Sequence, residues 1–217
     1  VYDPATQTFH RYGSGEQNAY RLGAGAVFDI FEDQEGAIWF AVQGYGLYYY
    51  NPEAQLFDLF EANPTSTNGL RHPQILSMVQ GDDETIWIAS DGGGLYAFND
   101  ETDRFTLYSA HRANSLHSNS VIGLARDHDG NIWIGTWAEG LGRYNPDTKQ
   151  FSHWRVTDDV GLATDNIFIL YIDSHNQLWV STWDNGVQLF DVTTERVVRS
   201  FPGNSPQGQG LQNISIM

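Results

Sequence analysis

Four tryptophans recur in one context, Ile38-Trp39, Ile86-Trp87, Ile132-Trp133 and Leu178-Trp179, at spacings of 48, 46 and 46 residues. Seven residues after each stands a glycine (Gly46, Gly94, Gly140, Gly186), followed by an apolar residue (Leu47, Leu95, Leu141, Val187). Eleven after each stands an aromatic: Tyr50, Phe98, Tyr144 or Phe190. Eighteen after come Phe57, Phe105, Phe151 and, in the last copy, Val197. Twelve before each is a β-branched residue: Val27, Ile75, Val121 or Ile167. A period of this length marks a repeated supersecondary unit that buries its apolar face only against its neighbours.

Each unit reads as four short strands. The first is β-branched and apolar, as in Val27 to Phe31 and Ile167 to Tyr171, and predicts a strand buried on both faces. The second carries the Trp, the third follows the Gly, and the fourth alternates, as in Phe57-Asp58-Leu59-Phe60. Asp129-Gly130-Asn131 and Asn145-Pro146 supply turn chemistry between them. No stretch sustains a helical period. The predicted fold is all-β: a β-propeller of four-stranded blades, with the four Trp in equivalent buried positions. Tyr2 to Phe9 matches Tyr144 to Phe151, and Asn213 to Met217 matches Asn166 to Leu170. The register therefore predicts one propeller segment over residues 1–217, with four complete blades and two partial ends, a piece of a larger propeller.

Composition narrows the partners. Lys plus Arg is 11 and Asp plus Glu is 27, giving 11 − 27 = −16. Such a surface repels phosphate backbones and anionic lipid, which argues against nucleic-acid and direct membrane partners. The absence of cysteine removes disulfides, thiolate metal sites and cysteine nucleophiles. Apolar runs such as Ile167 to Ile172 are far short of the ~20 residues of a membrane-spanning helix.

The run Asp127-His128-Asp129-Gly130-Asn131-Ile132-Trp133-Ile134-Gly135-Thr136 resembles the two-component-regulator propeller repeat. The third unit follows that pattern from Ser118 to Phe151. The first shares Asp33, Gly36, Trp39, Gly46-Leu47 and Tyr50-Asn51-Pro52. The second departs at Gly81, where the pattern has Asp, and at Asn99-Asp100; the fourth has Asn176 for the turn Gly and Asp191-Val192 for Asn-Pro. The resemblance implies a ligand-binding sensor domain of a bacterial signalling receptor, periplasmic or otherwise outside the cytoplasmic membrane. In that family such domains precede a histidine kinase or diguanylate cyclase, and the ligands implied are oligosaccharides.

In propellers, function sits in variable loops on a rigid scaffold. The loops from fourth to first strand (Gly13 to Ala26, Glu61 to Gln74, Ser109 to Ser120, Arg155 to Asn166) share a face with those from second to third strand. In the latter set Trp137 and Trp183 occupy the same offset, where the other copies have Gln43 and Asp91. With Glu139, Asp184 and Asn185 they offer flat apolar faces beside carboxylate and amide groups, the mixture sugars need. Tyr45 and Asp91 are outlying candidates. Packing of both Trp along the channel or between blades is an equal alternative at this point.

Other constellations carry little chemistry. Asp127-x-Asp129-Gly130-Asn131 lacks the remaining ligands of a calcium loop and reads as a hairpin turn. The seven His (His10, His72, His111, His117, His128, His153, His175) show no metal-ligand spacing. Gly13-Ser14-Gly15 is no nucleophile elbow, and Gly92-Gly93-Gly94 is a tight hairpin loop without a following helix. Asn213-Ile214-Ser215 fits a glycosylation pattern but lies in a buried type of strand. No catalytic residue, metal or cofactor is assigned. The leading expectation is a non-enzymatic module binding a small molecule or carbohydrate. The alternatives are a propeller enzyme of lyase or glycosidase type and a protein-interaction platform. Self-association through exposed blade edges is a further expectation.

Overall fold

A computed structural model describes residues 2–3, 6–9, 25–52, 56–81, 84–99, 101–110 and 114–203. Two compact units divide the chain, Val1–Ile75 and Leu76–Met217. The expectations at His10, His111, Gly13-Ser14-Gly15 and residues 213–217 lie outside the described residues.

The first unit holds the hairpin β1 (Tyr2–Asp3) and β2 (Thr8–Phe9), then one sheet: β3 (Val27–Glu32), β4 (Ile38–Val42), β5 (Gly46–Asn51) and β6 (Leu56–Glu61). Tyr2 pairs with Phe9 as Tyr144 pairs with Phe151, the correspondence expected from the register. The next sheet is β7 (Ile75–Gln80), β8 (Ile86–Ser90), β9 (Gly94–Asn99) and β10 (Arg104–Tyr108). The third is β11 (Val121–Arg126), β12 (Ile132–Thr136), β13 (Leu141–Asn145) and β14 (Gln150–Trp154). The fourth is β15 (Ile167–Ile172), β16 (Gln177–Thr182), β17 (Val187–Asp191) and β18 (Arg196–Phe201). Each sheet is an antiparallel meander of sequential strands, that is, a propeller blade. The one helical element described is a 3-10 turn at Val156–Asp158.

The recurrent glycine has two physical causes. Gly46, Gly94, Gly140 and Gly186 all have φ between 78° and 109°, a left-handed conformation unfavourable to other residues. A Cβ on each would also strike the carbonyl oxygen of the fourth-strand residue behind it: Phe60 at 2.5 Å, Tyr108 at 2.5 Å, Trp154 at 2.3 Å and Phe201 at 2.2 Å.

The aspartate before each Trp strand folds its own turn. Asp127 Oδ1 accepts the backbone N–H of Asp129 and Asn131 at 3.0 and 2.8 Å, and Oδ2 accepts the Trp133 indole N–H at 2.8 Å. Asp33 and Asp173 repeat this arrangement toward Trp39 and Trp179. Asp127 is thus a hairpin-closing residue. The Trp179 indole N–H, followed by the Gln177 backbone N–H, holds the Asp173 carboxyl below the usual aspartate range.

The core consists of layers between blades. One layer joins Trp87, Ala89 and Leu95 to Val121, Leu124, Ile132, Ile134 and Tyr144 of the third blade. The next joins Ala125, Trp133, Leu141 and Trp154 to Ile167, Leu170, Leu178, Val180 and Phe190 of the fourth. In the third and fourth blades offset eleven is therefore the aromatic offered to the preceding blade: Tyr144 lies 5.0 Å from Trp87, and Phe190 lies 5.5 Å from Trp133. The residue at offset eighteen stands directly opposite it in all four blades.

Two expectations need correction. Trp39, Trp87 and Trp133 are buried, but Trp179 is only half-buried. First strands are also not uniformly buried on both faces. β11, flanked by β8 and β15, is buried from Val121 to Ala125, whereas Ile30 of β3 and Tyr171 of β15 are exposed. β11 is covered because β8 packs on one side of it and β15 on the other.

Candidate functional site

Trp137 and Trp183 directly follow the second strands β12 and β16, and their backbones are tied down. The Trp137 N–H donates to the Ser120 carbonyl at 3.0 Å, and the Trp183 N–H to the Asn166 carbonyl at 3.2 Å. The Trp137 loop is also stitched to the next blade: Ala138 N–H donates to Asn166 Oδ1 at 3.0 Å and Gly140 N–H to the Asp165 carbonyl at 2.9 Å. From these fixed stems the indoles project outward, 41% and 62% exposed, with centroids 5.6 Å apart and planes at 78°. They form an edge-to-face corner and are not core residues.

A third ring backs this corner. Phe168 packs on Trp183 at 5.4 Å and 71°. It occupies the β-bulge between Ile167 and Ile169, where the ladder skips a residue and the side chain is re-aimed. Sequence reading placed Phe168 in a buried strand. The available signal was a second aromatic, Phe28, at the same bulge offset of the first blade.

The polar candidates divide into free and engaged groups. Asp184 and Asn185 are exposed beside Trp183, and Asn185 Nδ2 donates to Asp184 Oδ1 at 2.7 Å, which orients both. Glu139 is half-buried, and its Oε2 pairs with Arg155 Nη1 at 3.2 Å. Arg155 also reaches Asp165 Oδ2 at 3.5 Å and the Ala138 carbonyl at 3.4 Å. This arginine, overlooked in the sequence, puts the one cation of the cluster against the Trp137 loop. Asp91 lies one blade earlier and accepts the Ser120 hydroxyl, so it braces the strand that holds Trp137. Tyr45 is exposed and belongs to the first unit, so it is described apart from the others.

Next to Glu139 two histidines stack. The rings of His117 and His153 lie 3.5 Å apart at 13°, and His153 Nε2 donates to the Ser115 carbonyl at 2.9 Å. Burial, and then the neighbouring His117, push the His153 pKa below the usual histidine value; the Ser115 hydrogen bond and Glu139 oppose this. The unfolded chain then binds the proton first. The contribution of neutral His153 is complete above the ordinary value of about 6.5 and is lost as pH falls through it toward the lower folded value. Urea unfolding at several pH values is expected to show wild-type stability dropping on acidification through that window. The loss should be smaller in His153→Gln, which cannot titrate; an equal loss in the two proteins contradicts the assignment.

Among the described residues no group of three or more His, Asp or Glu is placed to hold a metal. What the site presents is a rigid aromatic corner bordered by carboxylate, amide and guanidinium groups, suited to holding a molecule with both apolar faces and hydroxyls.

Comparison with known proteins accords with this architecture. No curated protein sequence matches the chain. Residues 115–138 and 161–184 match the family model described as two component regulator propeller. The extracellular domain of the putative hybrid two component system BT3049 from B. thetaiotaomicron is similar in structure, with a TM-score of 0.72 and 21% identity over 83% of this chain and 25% of that one. The extracellular domain of the putative one component system BT4673 from the same organism gives 0.72 and 20%, over 88% and 26%. Virginiamycin B lyase from Staphylococcus aureus gives 0.64 and 13%, over 84% and 57%. The chain spans about a quarter of the length of the two sensor-system domains. Both family matches begin in the loop before a first strand and end one residue beyond the exposed Trp, at Ala138 and Asp184. With its Asp-closed turns, blade Trp and left-handed Gly in phase, the chain is a β-propeller segment in which residues 115–138 and 161–184 match the two component regulator propeller model.

Proposed function

We propose that this segment is the ligand-binding part of a bacterial signal-transduction receptor, acting outside the cytoplasmic membrane, with a carbohydrate as ligand and recognition as its role. The observation that carries this reading is the pair of exposed indoles, Trp137 and Trp183, set edge to face on anchored backbones. Exposed tryptophan on a rigid stem costs little ordering entropy on binding and covers the C–H faces of a sugar, while Asp184 and Asn185 offer an acceptor and a donor for hydroxyls. The neighbours named as extracellular domains of regulatory systems support the sensory and extracytoplasmic parts of the reading.

The test is titration of an oligosaccharide panel against wild type and Trp183→Ala, with melting curves alongside. Binding is expected to weaken by about 1–3 kcal/mol, with little change in melting, because the ring is mostly in solvent. A large fall in melting temperature with unchanged affinity, or a panel without any binder, overturns the reading.

A further inference from the structure

The loops around the two exposed indoles are one-sided in charge. Among the described residues, segments 91–93, 114–120, 137–140, 155–166 and 183–186 hold six carboxylates, Asp91, Glu139, Asp158, Asp159, Asp165 and Asp184, against one guanidinium, Arg155. Hydrogen bonds tie these segments into one rim. The Ser120 hydroxyl donates to Asp91, the Trp137 N–H to the Ser120 carbonyl, the Gly140 N–H to the Asp165 carbonyl and the Trp183 N–H to the Asn166 carbonyl. Arg155 is engaged within the rim: Nη1 meets Glu139 Oε2 at 3.2 Å, and Nη2 meets Asp165 Oδ2 at 3.5 Å. An anionic ligand therefore finds no free cation in these described loops, whereas a cationic one meets a surplus of carboxylates on a chain of net charge −16.

The rings suit the same kind of ligand. Trp137 and Trp183 meet at 78° with centroids 5.6 Å apart, and Phe168 meets Trp183 at 71°. Perpendicular rings turn electron-rich faces onto a shared corner, and a cation within about 6 Å of an indole face is attracted by its quadrupole. Asp184 is exposed next to Trp183; Asn185 Nδ2 holds its Oδ1 at 2.7 Å, and its Oδ2 has no partner among the described residues. Exposure is a property of this loop position. Ala138, at the offset of Asp184 in the third blade, is exposed although the fourth blade is hydrogen-bonded to it, and Trp137 beside it is 41% exposed.

We propose that the corner of Trp137, Trp183 and Phe168, with Asp184 at its edge, binds an ammonium group, so that the sugar it takes is an amine-bearing one. The indole faces hold the cation by its charge, and Asp184 pairs with it through the oxygen that Asn185 leaves open. This deepens the carbohydrate reading of the same corner and rests on that reading for the sugar, though not for the cation.

The test titrates a glucosamine oligomer, the same oligomer N-acetylated, an oligogalacturonide and choline by calorimetry, at mildly acidic pH where the glucosamine amines are protonated. The glucosamine oligomer is expected to bind about tenfold tighter than its N-acetylated form, the size of preference that a cation on an aromatic face confers. Its affinity should fall as salt is added, because the carboxylates that attract it are exposed. Asp184→Asn removes the charge at constant shape, and Trp183→Leu removes the ring while keeping apolar bulk. Each is expected to erase most of the preference without lowering the melting temperature, since both side chains are exposed. Choline bound with every oligomer ignored supports the ammonium site and removes the carbohydrate reading. Equal binding of the two glucosamine-based oligomers keeps the carbohydrate reading and overturns the ammonium proposal. A preference for the oligogalacturonide, a preference for amine that survives both substitutions, or no binding of either cationic probe also overturns it.

Discussion

Trp133→Ala is expected to lower the stability of the folded chain by about 3–5 kcal/mol, the range for deleting a large buried aromatic. The Trp133 ring is fully buried. It stacks on Trp154 at 5.2 Å, meets Phe190 of the next blade edge to face at 5.5 Å, and lies under the Arg143 guanidinium at 5.4 Å. Its removal opens a cavity lined by two blades, which cannot collapse without shifting their contact, and it also strips Asp127 of its indole partner. Trp179→Ala in the same repeat position is the internal control. That ring is half-buried and, among the described aromatics, stacks on Phe201, so the loss should be about half as large. Equal losses in urea unfolding would contradict the account of the core as layers between blades.

Asp127→Ala should be nearly as costly, at roughly 3 kcal/mol. The carboxylate is buried and accepts from two backbone N–H groups, the Asn131 amide and the Trp133 indole. An alanine orphans several of these donors, and each buried donor left without a partner costs about 1–3 kcal/mol, some of it recoverable by water. The second blade is the natural counterpart. Gly81 stands where Asp33, Asp127 and Asp173 stand, and its backbone N–H makes the same turn bond, to the Thr85 carbonyl at 2.8 Å. The indole N–H of buried Trp87 there has no hydrogen-bond partner. Gly81→Asn, which supplies an acceptor without adding charge beside Asp82, Asp83 and Glu84, is expected to raise stability by about 1 kcal/mol. No gain from Gly81→Asn together with no loss from Asp127→Ala would remove the Asp–Trp hydrogen bond from the account of blade stability.

The second blade also shows where pattern matching falls short. The fourth turn position is left-handed in every blade: Gly36 at φ 82°, Glu84 at 62°, Gly130 at 81° and Asn176 at 59°. Gly and Asn adopt that conformation at little cost, whereas glutamate pays a steric penalty. The strain at Glu84 became visible only once its backbone was placed beside the other three. Likewise, the aromatic that stacks on each blade Trp sits at offset 21 in three blades (Phe60, Tyr108, Trp154) but at offset 22 in the fourth, as Phe201. A register shift in β17–β18 inserts Val198 and leaves it exposed, so a fixed offset misses Phe201.

The sequence by itself determined the repeat, its four strands, the turn residues and the pairing across them. These features depend on contacts within about 25 residues, where the alternation of side chains and the left-handed Gly positions leave one register. It also singled out Trp137 and Trp183, through their departure from the polar residues at that offset. What only the tertiary structure decided was which faces of identical-looking strands are covered, that the two indoles meet at 78°, that Phe168 stands behind them, and that Arg155 holds Glu139. The covered faces and the indole corner are set by contact between blades some 46 residues apart in the chain, and a residue's own neighbours carry no record of what the next blade brings against it; the Phe168 and Arg155 contacts lie within one repeat but depend on a bulge and on loop backbone that spacing does not reveal.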